Sequence, residues 1–526
     1  MENNFNNIPA EKFRFATRND LYHDSKFETK PVSYFQGAFQ RFSKNKGAVV
    51  ASVVIAVLVL FAIIAPFFTP FQPAYYDMVY AYVTPKSNLF ANSDIDFWDG
   101  CKQKDTNYVG YLKDYALAAE TGREVIKNGE YTVSEDGSTY SYRYDTYYGV
   151  GFGKYKIISV EEFNDIQRYQ NETGRQVLYP IVKASDRPTL EKNKYDANIY
   201  YKVENLKASV LRPELDENGN IIPNYWKHEA GSNNSLIPEY NSLRIEGEDG
   251  FTENGKQYYY AYGRKVDGGI EVRTEYYEYY IYQHKEVRKD GIEEPLFLFG
   301  TTQTGKDIFA CLAYGARFSF IFASVVAIAN FIVGVIWGSI SGYFGGKIDL
   351  VMERFAEILG SVPTIIVITL LKYHMGTSSQ VLVLFIAFFA TGWIGMAGRT
   401  RMQFYRFKNQ EYVLAARTLG ARDSRIMFKH IFPNGLGTIV TSFALVIPSM
   451  IYSETSFTYL GIINLEAGNT TSVGTLIAAG QQSIMANAGY VAVFPCVFLV
   501  LLMLSFNLFG NGLRDAFNPS LRGTED

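Results

Sequence analysis

Glu411-Tyr-Val-Leu414-Ala415-Ala416-Arg-Thr-Leu-Gly420-Ala-Arg-Asp423-Ser-Arg-Ile-Met-Phe-Lys-His-Ile431-Phe-Pro433-Asn434 reads as a helix, a break and a second helix. The first helix is expected from about Gln410 to Leu419. Gly420 ends it, because glycine reaches left-handed backbone without a Cβ penalty. The second is expected to begin with Asp423 as N-cap and to stop before Pro433. Small Ala415 and Ala416 let another surface come close to the first helix. The surroundings are strongly basic: Arg399, Arg401, Arg406, Lys408, Arg417, Arg422, Arg425 and Lys429. Such a helix–glycine–helix fits a docking knob, and equally an amphipathic loop lying on a membrane surface.

Apolar runs flank this loop on both sides. A bilayer span needs about 20 apolar residues. Six segments qualify: Ala48 to Phe68, Phe318 to Ile340, Leu350 to Leu371, Val381 to Ala397, Leu436 to Tyr452 and Val491 to Phe509. None carries Lys or Arg at its centre. Glu353, Arg354 and Glu357 open the third and read as an interfacial helix end. The first run lies behind a long polar tail and lacks a small-residue cleavage pattern, so it reads as a retained span rather than a signal peptide. Arg41, Lys44 and Lys46 precede it, and Arg514 and Arg522 follow the last. The stretch from Ser453 to Tyr490 has no Lys or Arg. The positive-inside rule then puts both termini and the basic loop in the cytoplasm, and six spans give the same parity.

That orientation leaves a polar block outside. From Asp77 to Glu294 there are 37 acidic and 27 basic residues; the rest of the chain holds 16 acidic and 23 basic. The block from Tyr75 to Pro295 holds 30 of the 40 tyrosines. So high an aromatic content argues for a buried core rather than disorder. Turn signals at Asp136-Gly137, Asn218-Gly219 and Asp249-Gly250 separate short alternating runs such as Tyr258 to Tyr262 and Gly269 to Tyr282. Val160 to Tyr169 reads as a helix, with Ser159 and Glu162 at capping-box spacing, and Tyr111 to Ile126 as another. The expectation is an α+β domain rich in antiparallel sheet. Cys101, Cys311 and Cys496 are the only cysteines, and only the first lies well inside the block, which therefore closes no internal disulfide.

The chain thus divides into a cytoplasmic tail, 1–47; a first span, 48–70; an extracellular domain, 75–295; a core, 296–512, with spans two to six and the loop 399–435; and a cytoplasmic tail, 513–526.

The loop resembles the coupling motif of ATP-binding cassette importer permeases, a Glu-Ala-Ala triplet followed by Gly and a hydrophobic-Pro end. Ala415, Ala416, Gly420, Ile431 and Pro433 match it. Leu414 stands where the family has Glu, and Glu411, one turn earlier, offers a charge on the same face. Further stretches resemble the C-type subunits of oligopeptide and dipeptide permeases: Arg41-Phe-Ser-Lys-Asn-Lys46, Phe299-Gly-Thr-Thr-Gln-Thr-Gly-Lys-Asp307, Tyr314-Gly-Ala-Arg317, Gly342-Tyr-Phe-Gly-Gly346, Thr391-Gly-Trp393, Glu454-Thr-Ser-Phe-Thr-Tyr-Leu-Gly461 and Phe506-Asn-Leu-Phe-Gly-Asn-Gly-Leu-Arg-Asp515. They cover roughly half the chain; the large external block departs from the family pattern. The resemblance implies a polytopic α-helical membrane protein of the type I importer fold, with an inserted extracellular α+β domain. It implies import of peptides in the plasma membrane, with a second permease subunit, two ATPase subunits, a substrate-binding lipoprotein outside and membrane lipid as partners. ATP hydrolysis would then lie in the partners, and no cofactor is expected in this chain. Related nickel importers share these motifs, so a different cargo is the alternative.

Other chemistries are less well supported. Gly300-Thr-Thr-Gln-Thr-Gly305-Lys306-Asp307 has phosphate-loop spacing behind strand-like Leu296 to Phe299. Asp307, however, replaces the hydroxyl that would hold Mg²⁺. The five histidines are scattered with no paired ligand spacing, so no metal site is expected. No nucleophile elbow occurs, and a net negative block disfavours nucleic acid. A membrane receptor or sensor would need a cytoplasmic output domain, for which the short inner segments leave little chain. Glu454, at the end of the fifth span, is a candidate wall residue of a translocation path, or else a solvated loop carboxylate.

Overall fold

The computed structural model describes residues 34–90, 98–150, 154–179, 217, 250–259, 263–376, 380–466 and 470–517. The turn expected at Asn218-Gly219, Asp249 of the turn expected at Asp249-Gly250, part of the run Tyr258 to Tyr262, and much of both tails lie outside the described residues.

Helix α1 (Tyr34–Lys44) meets α2 (Lys46–Phe68) at Asn45, whose side chain caps α2 by accepting from the Ala48 amide at 3.2 Å. Along α2 the buried positions are mostly alanines, Ala48, Ala51, Ala62 and Ala65, while Val50, Val53, Val57, Leu60 and Ile64 stay exposed. That three-to-four spacing gives one close-packing face and one broad apolar face.

The insertion follows. Strands β1 (Cys101–Thr106), β2 (Ile126–Val133) and β3 (Tyr140–Asp145) form an antiparallel sheet in the order β1-β3-β2, and α3 (Tyr108–Thr121) crosses between β1 and β2. A second antiparallel sheet centres on β9 (Gly269–Thr274), which pairs with β4 (Lys154–Ile158), β5 (Leu178–Tyr179) and β8 (Gly263–Val266). Strands β6 (Gly250–Glu253) and β7 (Lys256–Tyr259) make a hairpin. Helix α4 (Val160–Thr173) is capped as expected, Ser159 Oγ accepting from the Glu162 amide at 3.1 Å, and packs Phe163 and Ile166 on Ile270 and Val272. The α+β reading of this region therefore holds.

The run Gly269 to Tyr282 needs correction. It is β9 followed by a helix, α5 (Tyr276–Tyr282). The Glu275 carboxylate accepts from the amides of Tyr277 and Glu278 at 3.1 and 2.9 Å and starts a turn there. Tyr277, Tyr280 and Ile281 then fall on one helical face, buried with Tyr80, Tyr147 and Phe297.

Helix α6 (Ile308–Phe344) starts at Asp307, whose carboxylate accepts from the amides of Phe309 and Ala310 at 3.0 and 3.3 Å. The phosphate-loop lookalike thus ends in a helix cap. It is also tied to the start of the insertion: the Thr301 amide donates to Val83 O at 2.9 Å and the Tyr82 amide to Thr302 O at 3.1 Å. A Cβ on Gly305 would lie 1.7 Å from Asp77 O, so that glycine is needed for contact with the neighbouring chain. Leu296 to Phe299 is irregular, not a strand.

The expected third span is one apolar run folded as two helices, α7 (Gly346–Gly360) and α8 (Thr364–Met375), bent by 69°. Pro363 sits at the break, where it has no amide to continue the ladder and disfavours helix at Val362. Helices α9 (Gln380–Phe407), α10 (Glu411–Thr418) and α11 (Asp423–Tyr459) follow. Then come a short α12 (Val473–Ile484), which the sequence reading did not expect, and α13 (Tyr490–Phe517). Among the described residues five helices are long and apolar enough to cross a membrane, six if the bent pair counts as one span.

Small residues set the helix spacing. Gly334, Gly338 and Gly342 recur every fourth residue on α6 and face α9. A Cβ there would lie 2.8 Å from Trp393 O, 2.2 Å from Ala397 O and 2.8 Å from Arg401 O respectively. A Cβ on Gly512 of α13 would come within 2.2 Å of Ala48 Cβ on α2. Close backbone approach of this kind holds helices together where lipid removes the hydrophobic incentive to associate.

Candidate functional site

Helix α10 and the first turns of α11 form a projecting knob. Leu419 closes α10, and Gly420 follows with φ +78°. The Gly420 amide donates to Arg417 O at 3.0 Å and the Ala421 amide to Ala416 O at 3.1 Å. This pair of bonds is a Schellman closure, the reason a glycine stands at position 420.

Asp423 is not the cap of the second helix. Arg422 holds the extended cap geometry, with ψ 148°, and Asp423 is the first helical residue. Its carboxylate is used elsewhere: the Tyr343 hydroxyl donates to it at 2.5 Å, and Arg417 Nη2 donates to the same tyrosine oxygen at 3.5 Å. Nor does the helix stop before Pro433. Residues Ile426–Ile431 form a wider π-helical turn, in which the Phe432 amide bonds to Met427 O. That turn takes in the proline's missing donor, and α11 runs on to Tyr459.

One face of the knob is fixed to the long helices. Val413, Ile426, Met427 and Ile431 are buried with Tyr343 at the end of α6 and Phe404 on α9. Nearby, Arg401 grips Asp349 with two bonds of 2.6 and 2.7 Å, Tyr405 donates to the same carboxylate at 2.6 Å, and Ser341 reaches it as well. Lys408 Nζ donates to Gly342 O at 3.0 Å. The ends of α6 and α9 and the start of α7 are thereby tied together, and bidentate arginine–carboxylate geometry makes the tie directional.

The opposite face is open and apolar. Leu419 is 87% exposed and Leu414 45% exposed, beside exposed Tyr412, Ala415 and Glu411; Ala416 is half-buried and Pro433 exposed. The structure therefore splits the motif. Ile431 is an anchor, whereas Glu411, Leu414 and Ala415 face outward.

Glu454 lies far from the knob and is fully buried. It accepts from Ser319 Oγ at 2.9 Å and from Thr458 Oγ1 at 3.2 Å, so its carboxylate braces α11 against α6 and is not a solvated loop group. Sequence reasoning missed the Asp349–Arg401 tie and treated Arg399, Arg406 and Arg514 only as markers of orientation. Asn330, a polar side chain mid-way along an apolar helix, was the available signal for a further polar feature.

Two family profiles match. One, described as the N-terminal transmembrane domain of oligopeptide transport permease C, covers residues 33–85; the other, a binding-protein-dependent transport system inner membrane component, covers residues 334–523. The oligopeptide transport system permease protein OppC of Bacillus subtilis (strain 168) is 41% identical over 224 residues, 43% of this chain and 72% of its own. The dipeptide transport system permease protein DppC of the same organism is 37% identical over 244 residues, 45% of this chain and 75% of its own. The Escherichia coli (strain K12) OppC is 38% identical over 224 residues, 43% of this chain and 72% of its own. With its multi-pass helical core, its N-terminal span and a strand-rich region between them, this chain belongs to the oligopeptide/dipeptide permease C-type family of ATP-binding cassette importer membrane subunits.

Proposed function

We propose that the chain is one of two permease subunits of a peptide importer, and that α10 is the coupling helix seated in a groove of a partner ATPase. The two-faced knob carries this reading: an apolar outer surface backed by a face locked to α6 and α9. ATP-driven closure of two ATPase subunits would push on α10, and the ties at Tyr343, Asp349 and Gly342 would pass the push to the spans. Peptide is handed over by a substrate-binding lipoprotein on the outer side. Both termini and the 399–435 loop lie in the cytoplasm, and the insertion, about 75–295, lies outside as a platform for that lipoprotein.

Leu414 gives the contact a different chemistry from the family's Glu. An apolar side chain there, next to Leu419, fits an apolar pocket on the ATPase. The test is reconstitution with the partner subunits. Gly420→Pro forbids φ near +78° and unmakes the helix closure. It should abolish ATPase co-purification and ATP-dependent peptide uptake, while Leu414→Asp should lower both by about tenfold or more, as loss of a central apolar contact does. Undiminished complex and uptake in both variants would sink the coupling role. Uptake of nickel but of no peptide would replace the cargo.

A further inference from the structure

Two cavities run together beside the knob. The deeper, of about 260 Å³, lies between α6, α9 and α11, with Asn330, Gly392, Met396, Arg399, Leu445 and Ser449 on its walls. The outer, of about 380 Å³, lies where α9, α11 and α13 approach the knob, with Arg399, Arg406, Thr441, Ser442 and Arg514 on its walls. Arg399 and Leu445 line both, so the two make one groove from mid-helix to the knob end.

Its polar groups are cations and hydrogen-bond acceptors. At the outer end stand three arginines from two helices, and among the described residues no carboxylate lines either cavity. Among the described residues none of the three has an ion-pair partner. In the deeper cavity the polar side chains are Asn330, Ser449 and the shared Arg399, set among apolar walls; Thr441 and Ser442 stand with the arginines in the outer one. Asn330 is 2% exposed; its Nδ2 donates to Phe388 O at 3.3 Å, and its Oδ1 has no donor among the described residues. Gly392 makes room for that amide, since a Cβ there would lie 2.3 Å from Asn330 Nδ2. The hydroxyls of Thr441, Ser442 and Ser449 donate back to the carbonyls of Gly437, Thr438 and Leu445 at 2.7, 2.9 and 2.8 Å. That leaves their oxygen lone pairs available.

A buried amide oxygen without a donor is costly unless something brings one. An acyl chain would bring none, so a phospholipid satisfies the arginines and leaves Asn330 unmet. A peptide supplies both groups, backbone N–H donors along its length and a carboxylate at one end. We propose that this groove is the chain's wall of the cytoplasmic half of the translocation path, with Arg399, Arg406 and Arg514 receiving the C-terminal carboxylate of the cargo and Asn330 Oδ1 taking a backbone N–H. The assignment rests on the peptide-permease reading above and adds a specificity to it: cargo with a free C-terminus travels preferentially, carboxylate leading toward the cytoplasm.

The experiment uses the complete complex in liposomes of phosphatidylcholine alone and with phosphatidylglycerol added. It compares uptake of labelled trialanine with that of trialanine amide. The wild type should favour the free acid. Arg399→Gln and Arg514→Gln should each reduce the ratio of kcat/KM for acid over amide by about tenfold, the scale of one charge-assisted hydrogen bond, and Arg399→Lys should keep most of the preference. An unchanged ratio in both Gln variants overturns the assignment and leaves peptide import standing. Equal loss for acid and amide, confined to vesicles with phosphatidylglycerol, also overturns it, in favour of a lipid headgroup. Failure of the wild type to move either peptide defeats the functional reading instead. Should the Gln variants fail to assemble, a benzophenone-bearing peptide in the wild-type complex decides: cross-linking at Leu445 or Met396 supports the groove, and its absence there overturns it.

Discussion

The insertion and the membrane core solve the same packing problem with opposite chemistry. The insertion buries tyrosines and ion pairs. Tyr80, Tyr147, Tyr277 and Tyr280 fill one core with Phe297. Asp99 accepts from Lys127 at 2.8 Å and from Arg143 at 2.7 Å, while Arg123 bridges Glu275, at 2.8 Å, and Glu278. The core instead presses glycine and alanine against neighbouring backbone and carries few charges along its spans. Water explains the contrast. A domain in water gains from burying large aromatic surface and can place charged side chains with their heads partly wet. Helices in lipid gain nothing from apolar burial as such, so close van der Waals fit has to hold them together.

The contrast is broken most directly at Arg123. Glu275 is fully buried, and burial pushes its carboxyl up while Arg123 holds it down. Arg123→Met removes the cation, keeps much of the volume and strands Glu275. The insertion should lose about 3–5 kcal/mol, the cost of breaking one partner of a buried pair. Hydrogen–deuterium exchange on the full chain should show β9 and α5 deprotected and α6 and α9 unchanged. The pH dependence has a definite sign. Without Arg123 the folded-state pKa of Glu275 rises further above its unfolded value. The penalty is then full at pH above that folded value and is relieved as pH falls through it. Equal exchange in wild type and variant at neutral pH would show that the pair does not hold the insertion.

The core should fail differently. Gly338→Val puts a Cβ 2.2 Å from Ala397 O, a backbone atom that cannot swing away. The expected cost is about 1–3 kcal/mol from overpacking, read as lower thermal stability in detergent and faster exchange along α6 and α9, with the insertion unaffected. A variant as stable as wild type would mean that the glycine seam is slack and that the two regions are less different than their packing suggests.

How far each region was legible follows from the same physics. Spans declare themselves because crossing lipid needs a long apolar run, and such runs are rare otherwise. Even so, Leu350 to Leu371 concealed a 69° bend, marked only by Pro363. In the insertion, Ser159 with Glu162 announced α4 through local cap chemistry. Helix α5 was hidden, because Tyr276 to Tyr282 is tyrosine-rich enough to satisfy strand alternation and helical spacing alike; the decision came from Glu275 and from the tertiary cavity that Tyr277 and Tyr280 fill. In the knob, Gly420 was readable because a backbone sign is a local property. Asp423 was misread because its partner, Tyr343, lies 80 residues away in sequence. The Arg399, Arg406 and Arg514 cluster could not be seen without the packing of α9 and α13 against α11, which puts all three on one cavity.

The knob is where the two chemistries meet, and Tyr343 tests the meeting. It stands at the end of a span, yet it is held as the insertion's tyrosines are, by a carboxylate at 2.5 Å and an arginine at 3.5 Å. Tyr343→Phe keeps the ring in the apolar cluster with Val413 and Ile426 and removes only the hydroxyl. Asp423 is exposed, so water can replace the lost bond and the stability cost should be small, about 0.5–1.5 kcal/mol. The effect on coupling should exceed that. If the hydroxyl fixes the knob's angle on α6, the reconstituted complex should hydrolyse more ATP per peptide imported, with assembly unchanged. A variant with wild-type stoichiometry would place the rigidity of the knob in its apolar anchors alone, and α10 would then be held by the chemistry of the core.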